Sequence, residues 1–204
     1  MRERELLSKS VKWLTLGNIA DVFDGTHTTP EYQETGIKFV SVENIRNPYA
    51  STKYVSNAAF GEFKVKPRRN DIFMTRIGDI GTCYVLDRDE SLAYYVSLAL
   101  IRPNNKVVLS NYLKHVIHSF VGRRELRKRT LLTAVPMKIN KRDISKLLIP
   151  VPPLEEQQRI VDILDKFDAL VNDISQGLPA EIEARRKQYE YYRDKLLTFK
   201  EKVN

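Results

Sequence analysis

Apolar residues recur at alternating steps of four and three at Ile160, Leu164, Phe167, Val171 and Ile174. That spacing lays one apolar stripe along a helix and forms a heptad seam. Pro153 suits the first turn of such a helix, and Glu155 and Glu156 favour the positive end of its dipole. Gly177-Leu178-Pro179 ends it. A second helix is expected beyond that break, with Ile182, Tyr189 and Leu196 seven residues apart. Tyr192 and Arg185 or Arg186 sit between them, so this second seam is more polar. Each helix of about 22 residues is about 33 Å long. A globule of about 150 residues has a radius of gyration of about 15 Å, too small to seat two such helices. The pattern therefore predicts a projecting arm whose seams, including Tyr192, are covered by a partner; the alternative is that the two helices fold back on themselves as a hairpin.

Residues 1–150 predict a compact, β-rich globule ahead of the arm, which makes the whole chain α+β. Strands are expected at 37–42, 71–75, 82–87 and 98–102, rich in Val, Ile, Phe and Tyr and bounded by Gly, Asn, Asp and Pro. Gly78 and Gly81 flank Asp79-Ile80 and read as a tight turn between two strands. Ser110 is expected to cap a helix reaching about Val121, with Leu113, Val116, Ile117, Phe120 and Val121 on its apolar face. Gly122 is expected to interrupt it. Pro150, Pro152 and Pro153 mark the boundary between a first domain, 1–150, and a helical region, 151–204.

Composition and charge narrow the function. The 204 residues carry 34 Lys and Arg against 26 Asp and Glu, a net charge of +8. From Val121 to Lys146 there are nine basic residues opposed only by Glu125 and Asp143. Lys64, Lys66, Arg68 and Arg69 form a smaller cluster. Such runs are either a solvated face or an electrostatic footprint for nucleic acid. The single cysteine, Cys83, excludes a disulfide framework and a cysteine-based zinc site. The longest apolar-rich run, Tyr94 to Ile101, is too short to span a bilayer. The opening MRERELL is unlike a signal peptide, and a cytoplasmic protein is expected.

No motif supplies a convincing catalytic or metal centre. His115 and His118 are three apart without a carboxylate at ligand spacing, and a solvated helix face is expected there. Asn47-Pro48-Tyr49 lacks the second proline of an amino-methyltransferase loop and reads as a turn. Gly78-Asp79-Ile80-Gly81 is too short for a phosphate-binding loop. Asp71 and Asp79 have no partner acid and lysine at nuclease spacing. A methyltransferase or nuclease fragment, and an RNA-binding or scaffold protein, remain the alternatives that other chemistry would serve.

Two strings carry a resemblance: PVPPLEEQQRIVDILDKFDAL, from Pro150 to Leu170, and LPAEIEARRKQYEYYRDKLLTF, from Leu178 to Phe199. Both resemble the helical regions of type I restriction-modification specificity subunits. The globule is similar more loosely, at Trp13–Gly17, Gly25–Pro30, Gly36–Ile45 and Asn70–Gly81, with Asn70 where the family usually has glycine. A full-length specificity subunit resembles two tandem copies of this unit, whereas this chain carries one and shows no internal repeat. The resemblance implies a non-catalytic protein that binds double-stranded DNA and selects its sequence. S-adenosylmethionine, ATP and magnesium would belong to the modification and restriction subunits it joins. It further implies two recognition domains in the working complex, hence a homodimer through the helices on a bipartite inverted repeat. The expected phosphate-facing residues are Arg123, Arg124, Arg127, Lys128 and Arg129. Thr26, His27, Thr28, Arg76, Thr130, Thr133 and Lys138, picked as donors in expected loops or turns, are the candidates nearest the bases.

Overall fold

The computed structural model describes residues 11–173 and 179–199, a mixed α/β chain. In order the elements are β1 (Lys12–Thr15), β2 (Ala20–Asp24), β3 (Ile37–Val40), β4 (Tyr54–Val55), α1 (Asn57–Gly61), β5 (Ile72–Ile77), β6 (Asp79–Val85), β7 (Leu92–Tyr94) and β8 (Leu98–Pro103). Then come α2 (Ser110–His118), α3 (Phe120–Arg129), α4 (Lys141–Ile144), β9 (Leu148–Val151), α5 (Leu154–Asp173) and α6 (Pro179–Leu197). The central antiparallel sheet has the order β2-β8-β5-β6. A second sheet, β4-β3-β7, pairs β3 with β7 in parallel, and β1 pairs with β9. Among the described residues no helix is long and apolar enough to cross a membrane.

The alternation of β5 and β8 builds the two cores. Ile72 and Met74 of β5 and Ala99 and Ile101 of β8 face one side, against Tyr112, Leu113, Val116 and Ile117 of α2. Phe73, Leu98 and Leu100 face the other, against Val40, Leu86 and Tyr94. Both faces of these central strands are covered, so they read as continuous apolar runs. The four expected strands correspond to β3, β5, β6 and β8. The turn sits on Gly78, whose φ is +77°, while Asp79 and Ile80 already belong to β6.

The helical segment after Ser110 differs from expectation. It is two helices, broken at Ser119 rather than at Gly122. The Ser119 hydroxyl donates to the Val116 carbonyl at 2.7 Å and accepts from the Gly122 N–H at 3.4 Å, capping α3. Gly122 lies inside α3, where a Cβ would strike the Val116 and Ile117 carbonyls. Glycine is needed there for close approach, and the basic run that follows is helical. Ser110 is within α2 rather than its cap, and its hydroxyl donates to the Asn70 carbonyl at 2.7 Å.

The helices at the end of the chain also differ. Ile160, Val161 and Leu164 of α5 and Leu197 of α6 join the core beneath α2, and Tyr189 and Leu196 pack against it. The seam at Ile160 and Leu164, expected to meet a partner, is filled by this chain's own globule. The cause is local: β9 is stitched to β1, and α5 starts directly after it. Buried Gln157 then donates to the Val107 and Pro152 carbonyls, both at 2.9 Å, and accepts from the Leu109 N–H at 2.9 Å. α6 returns antiparallel to α5: Phe167 stacks on Tyr192 at 5.6 Å, and Tyr189 reaches Asp168. The side chains of Val171, Ile174 and Ile182 lie outside the described residues.

His115 and His118 do not form a solvated face. Both turn inward, because the helix is covered by β6 on one flank and by α5 on the other. His115 is buried with its Nε2 2.9 Å from Asp165 Oδ1. His118 Nε2 accepts the Cys83 N–H at 3.0 Å. Burial, and then the nearby charges of Lys114, His115, Arg193 and Arg123, push the His118 pKa down to about 4. An unfolded histidine titrates near 6.5, so the unfolded chain takes up this proton first as the pH falls. The stability that neutral His118 contributes is complete above about pH 6.5 and is lost as the pH drops towards 4. Urea unfolding from pH 7.5 to 4.5 is expected to show a loss of about 2 to 3 kcal/mol from this group. His118→Gln should flatten that part of the profile, and an unchanged profile in the variant would assign the loss elsewhere.

Candidate nucleic-acid interface

Sheet order gathers segments that are distant in sequence. β2 and β5 both flank β8 antiparallel, so the exits of β2 and β5 lie beside the entry of β8. The loop carrying Thr26, His27 and Thr28 leaves β2 there and is tied to the β8 entry by the Val96 N–H donating to the Thr26 carbonyl at 2.9 Å. The β5–β6 turn at Gly78 stands at the same end. The segment after α3 is bound to that turn: the Gly78 N–H donates to the Met137 carbonyl at 2.8 Å, and Ile77 bridges to Lys138. Thr26, His27, Thr28, Thr130, Thr133 and Lys138 therefore share one end of the central sheet.

Arg76 is at that end but is not the loop donor expected from the sequence. It is in β5 rather than in a loop, and it is buried. Its guanidinium is ion-paired to Asp24, and its Nε donates to the Ile139 carbonyl at 3.1 Å. It therefore positions the β2 exit and the 131–139 segment around itself. Direct base contact would have to break a buried ion pair.

α3 leads its charge into this end. Arg123, Arg124, Arg127 and Lys128 are exposed, and Arg129 is half-buried. Beneath them Glu125 is 2% exposed and pairs with Lys128 and Arg129, both at 2.8 Å, while accepting the Leu148 N–H at 3.2 Å. Burial raises the Glu125 pKa, but Lys128, the Leu148 N–H and Arg129 outweigh it and hold the carboxyl below its ordinary value. Lys128 and Arg129 are thus partly neutralised from below. Arg124, Arg127 and Lys138 have no acidic partner among the described residues. The Arg123 Nε donates to the His118 carbonyl at 3.0 Å. The smaller basic cluster, Lys64 to Arg69, precedes β5 and so lies at the opposite end of the sheet.

One feature of this end was not read from sequence. The loop from Leu131 to Met137 exposes Leu131, Leu132, Val135 and Met137, with Val135 99% exposed. Its base is fixed by the Leu131 N–H donating to the Lys138 carbonyl at 2.8 Å and the Ile139 N–H to the Arg76 carbonyl at 3.0 Å. The signal available was a run of apolar residues between two basic stretches without the periodicity of a strand or helix. Exposed apolar side chains framed by cations mark a contact surface rather than a core.

Residues 9–184 match the family described as the type I restriction modification DNA specificity domain. The chain is 34% identical over 202 residues to the EcoR124I/EcoR124II type I restriction enzyme specificity subunit of Escherichia coli, covering 93% of this chain and 48% of that one. Its fold is similar to the crystal structure of the HsdS subunit from Thermoanaerobacter tengcongensis, with a TM-score of 0.67 at 19% identity, covering 96% of this chain and 51% of the other. It is also similar to the type I restriction-modification S subunit from M. genitalium, with a TM-score of 0.57 at 13% identity, covering 81% and 41%. The chain spans about half the length of the relatives it matches most fully.

Proposed function

The chain belongs to the type I restriction modification DNA specificity family, and from that premise we propose that it selects the DNA sequence on which a modification and restriction complex acts. The observation that carries this reading is the gathering of the 26–28 loop, the β5–β6 turn and the 131–138 loop at one sheet end, beside Arg124, Arg127 and Lys138, which have no acidic partner among the described residues. Cations there hold phosphates without regard to sequence, while the loops reach base edges, most informatively in the major groove. The exposed apolar loop suits thymine methyl groups, which only the major groove displays.

Residues 1–150 act as the target-recognition domain and residues 151–204 as the helical region that joins partners. The chain itself performs no bond-making step. Adenine methylation with S-adenosylmethionine falls to modification subunits, and ATP- and magnesium-dependent work to restriction subunits, in the cytoplasm. Ile160, Leu164, Leu196 and much of Tyr189 are committed to the chain's own core, so the surface left for helix partners lies farther out. Exposed Tyr191 and Tyr192 belong to it. Val171, Ile174 and Ile182 belong to the same joining region. Two copies related by a two-fold axis present two identical recognition domains.

This architecture reads half-sites related by the same axis. In cells carrying this chain and its modification partner, with no other specificity chain, sequencing of methylated adenines is expected to give a bipartite inverted repeat with an unread spacer. Halves that are not reverse complements would overturn the symmetric dimer. No methylated motif, together with no duplex binding by the purified chain, would overturn the recognition role.

A further inference from the structure

A cavity of about 380 Å³ opens between the β5–β6 turn, the α2–α3 junction and α6. Its walls bring together three guanidinium groups, Arg123 from α3 and Arg186 and Arg193 from α6. Two carboxylates, Asp79 and Glu190, also line it, and Glu190 is 3.7 Å from Arg186. Arg193 is 5% exposed, and its Nη2 is buried with no hydrogen-bond acceptor among the described residues. Its other nitrogens are engaged: Nε donates to Asp194 Oδ1 at 3.3 Å, and the guanidinium also hydrogen-bonds Tyr189, whose ring lies 5.4 Å from the guanidinium carbon. A buried charged donor left unmade is costly, and proteins rarely retain one without a use for it.

The neighbouring groups extend the donor set. His118 lines the cavity, and its Nε2 is occupied as the acceptor for the Cys83 N–H. The ring proton of the neutral imidazole is therefore on Nδ1, a donor. Thr82 adds a hydroxyl. A planar carboxylate is satisfied by one guanidinium fork, whereas a phosphate accepts from several directions at once. Donors here come from four separate elements, β6, α2, α3 and α6.

We propose that this cavity is an oxyanion site for a phosphate group, supplied by the backbone of bound DNA. The assignment of DNA as the source rests on the recognition role argued above. The site would lengthen the phosphate track: Arg123 stands both in the cavity and one turn before Arg127 on the exposed face of α3. It would also bring α6, a helix of the joining region, into contact with the duplex, so that DNA bridges the globule and the helical pair.

The test uses the full chain and two probes, inorganic phosphate and a short duplex. Thermal unfolding is measured in phosphate and in chloride at equal ionic strength and pH. A melting temperature that rises with phosphate concentration is expected in the wild type, because a ligand of the native state alone stabilises it. Arg193→Gln and Arg186→Gln should each lose that rise. Arg186 is largely exposed, so its variant keeps the test sound if Arg193→Gln folds poorly. In the duplex arm the slope of log K against log salt should fall by about one in each variant. Loss of the phosphate response with an unchanged DNA slope would keep the site but assign it to free phosphate. No phosphate-specific rise in the wild type, with unchanged slopes in both variants, would overturn it. A wild type that binds no duplex would instead defeat the recognition role, and the phosphate arm would still decide the cavity.

Discussion

Leu164→Asp lowers the melting temperature of the chain by about 10 °C or more, and does so whether the chain is alone or assembled. Leu164 is fully buried in the cluster that joins α5 to Tyr112, Val116 and Ile149. Aspartate there loses the apolar burial of leucine and places a carboxyl group without a partner in the core. Together these cost about 4 kcal/mol or more. A chain of this size loses about 2 to 4 °C per kcal/mol. A helix seam reserved for a partner would behave otherwise: the monomer would keep its melting temperature and only assembly would fail. Calorimetry across a hundredfold range of concentration separates the two. An unchanged melting temperature for the dilute variant, with a concentration-dependent one for the wild type, would return Leu164 to the interface. Phe167→Ala, which removes the stack on half-exposed Tyr192, should cost only about 1 kcal/mol.

The difference between Leu164 and the heptad expected of it shows what periodicity can carry. Steps of four and three locate a helix and its apolar face, and α5 is there. They do not name what covers that face. The covering was decided by β9 pairing with β1, and β9 is hard to read because Pro150 sits within it, opposite Trp13. β1, β2 and β7 are short, and their pairing partners lie far along the chain. The runs of β5 and β8 were legible because both faces are buried and the residues are correspondingly apolar. Gly122 misled for a physical reason: glycine marks either a break or a close approach, and sequence alone does not distinguish them.

The candidate site was legible in its residue types and illegible in its geometry. The charge excess of α3 is plain in the sequence, and its helical form is concealed by Gly122, which reads as a break. That Thr26, Gly78 and Lys138 stand together follows from β2 and β5 flanking β8, a non-local fact. Arg76 shows the converse. A cation next to a predicted turn looked available, yet Asp24, fifty-two residues away, holds it inside. His115 likewise reads as solvent-facing in the sequence, yet α5 places Asp165 against it; that hydrogen bond, followed by the charge of His115, holds the Asp165 carboxyl below its usual value.

The pairing beneath α3 separates its cations into two kinds, and DNA binding should report the separation. Arg124 and Arg127 are exposed and without acidic partners among the described residues, so each can release a counterion from the duplex when it meets a phosphate. The double variant Arg124→Ala, Arg127→Ala is expected to lower the slope of log K against log salt by about two. It should also weaken target and unrelated duplexes by the same factor, because phosphate contacts carry no sequence information. Lys128 and Arg129 already share the charge of Glu125. Replacing either should change the slope by less than one and should loosen the Leu148 N–H contact that Glu125 makes. Fluorescence anisotropy on a target duplex and a scrambled one, from about 50 to 200 mM salt, measures both quantities. A slope that stays constant in the double variant would reduce the α3 cations to a solvated face. A loss confined to the target duplex would show instead that Arg124 or Arg127 reads bases.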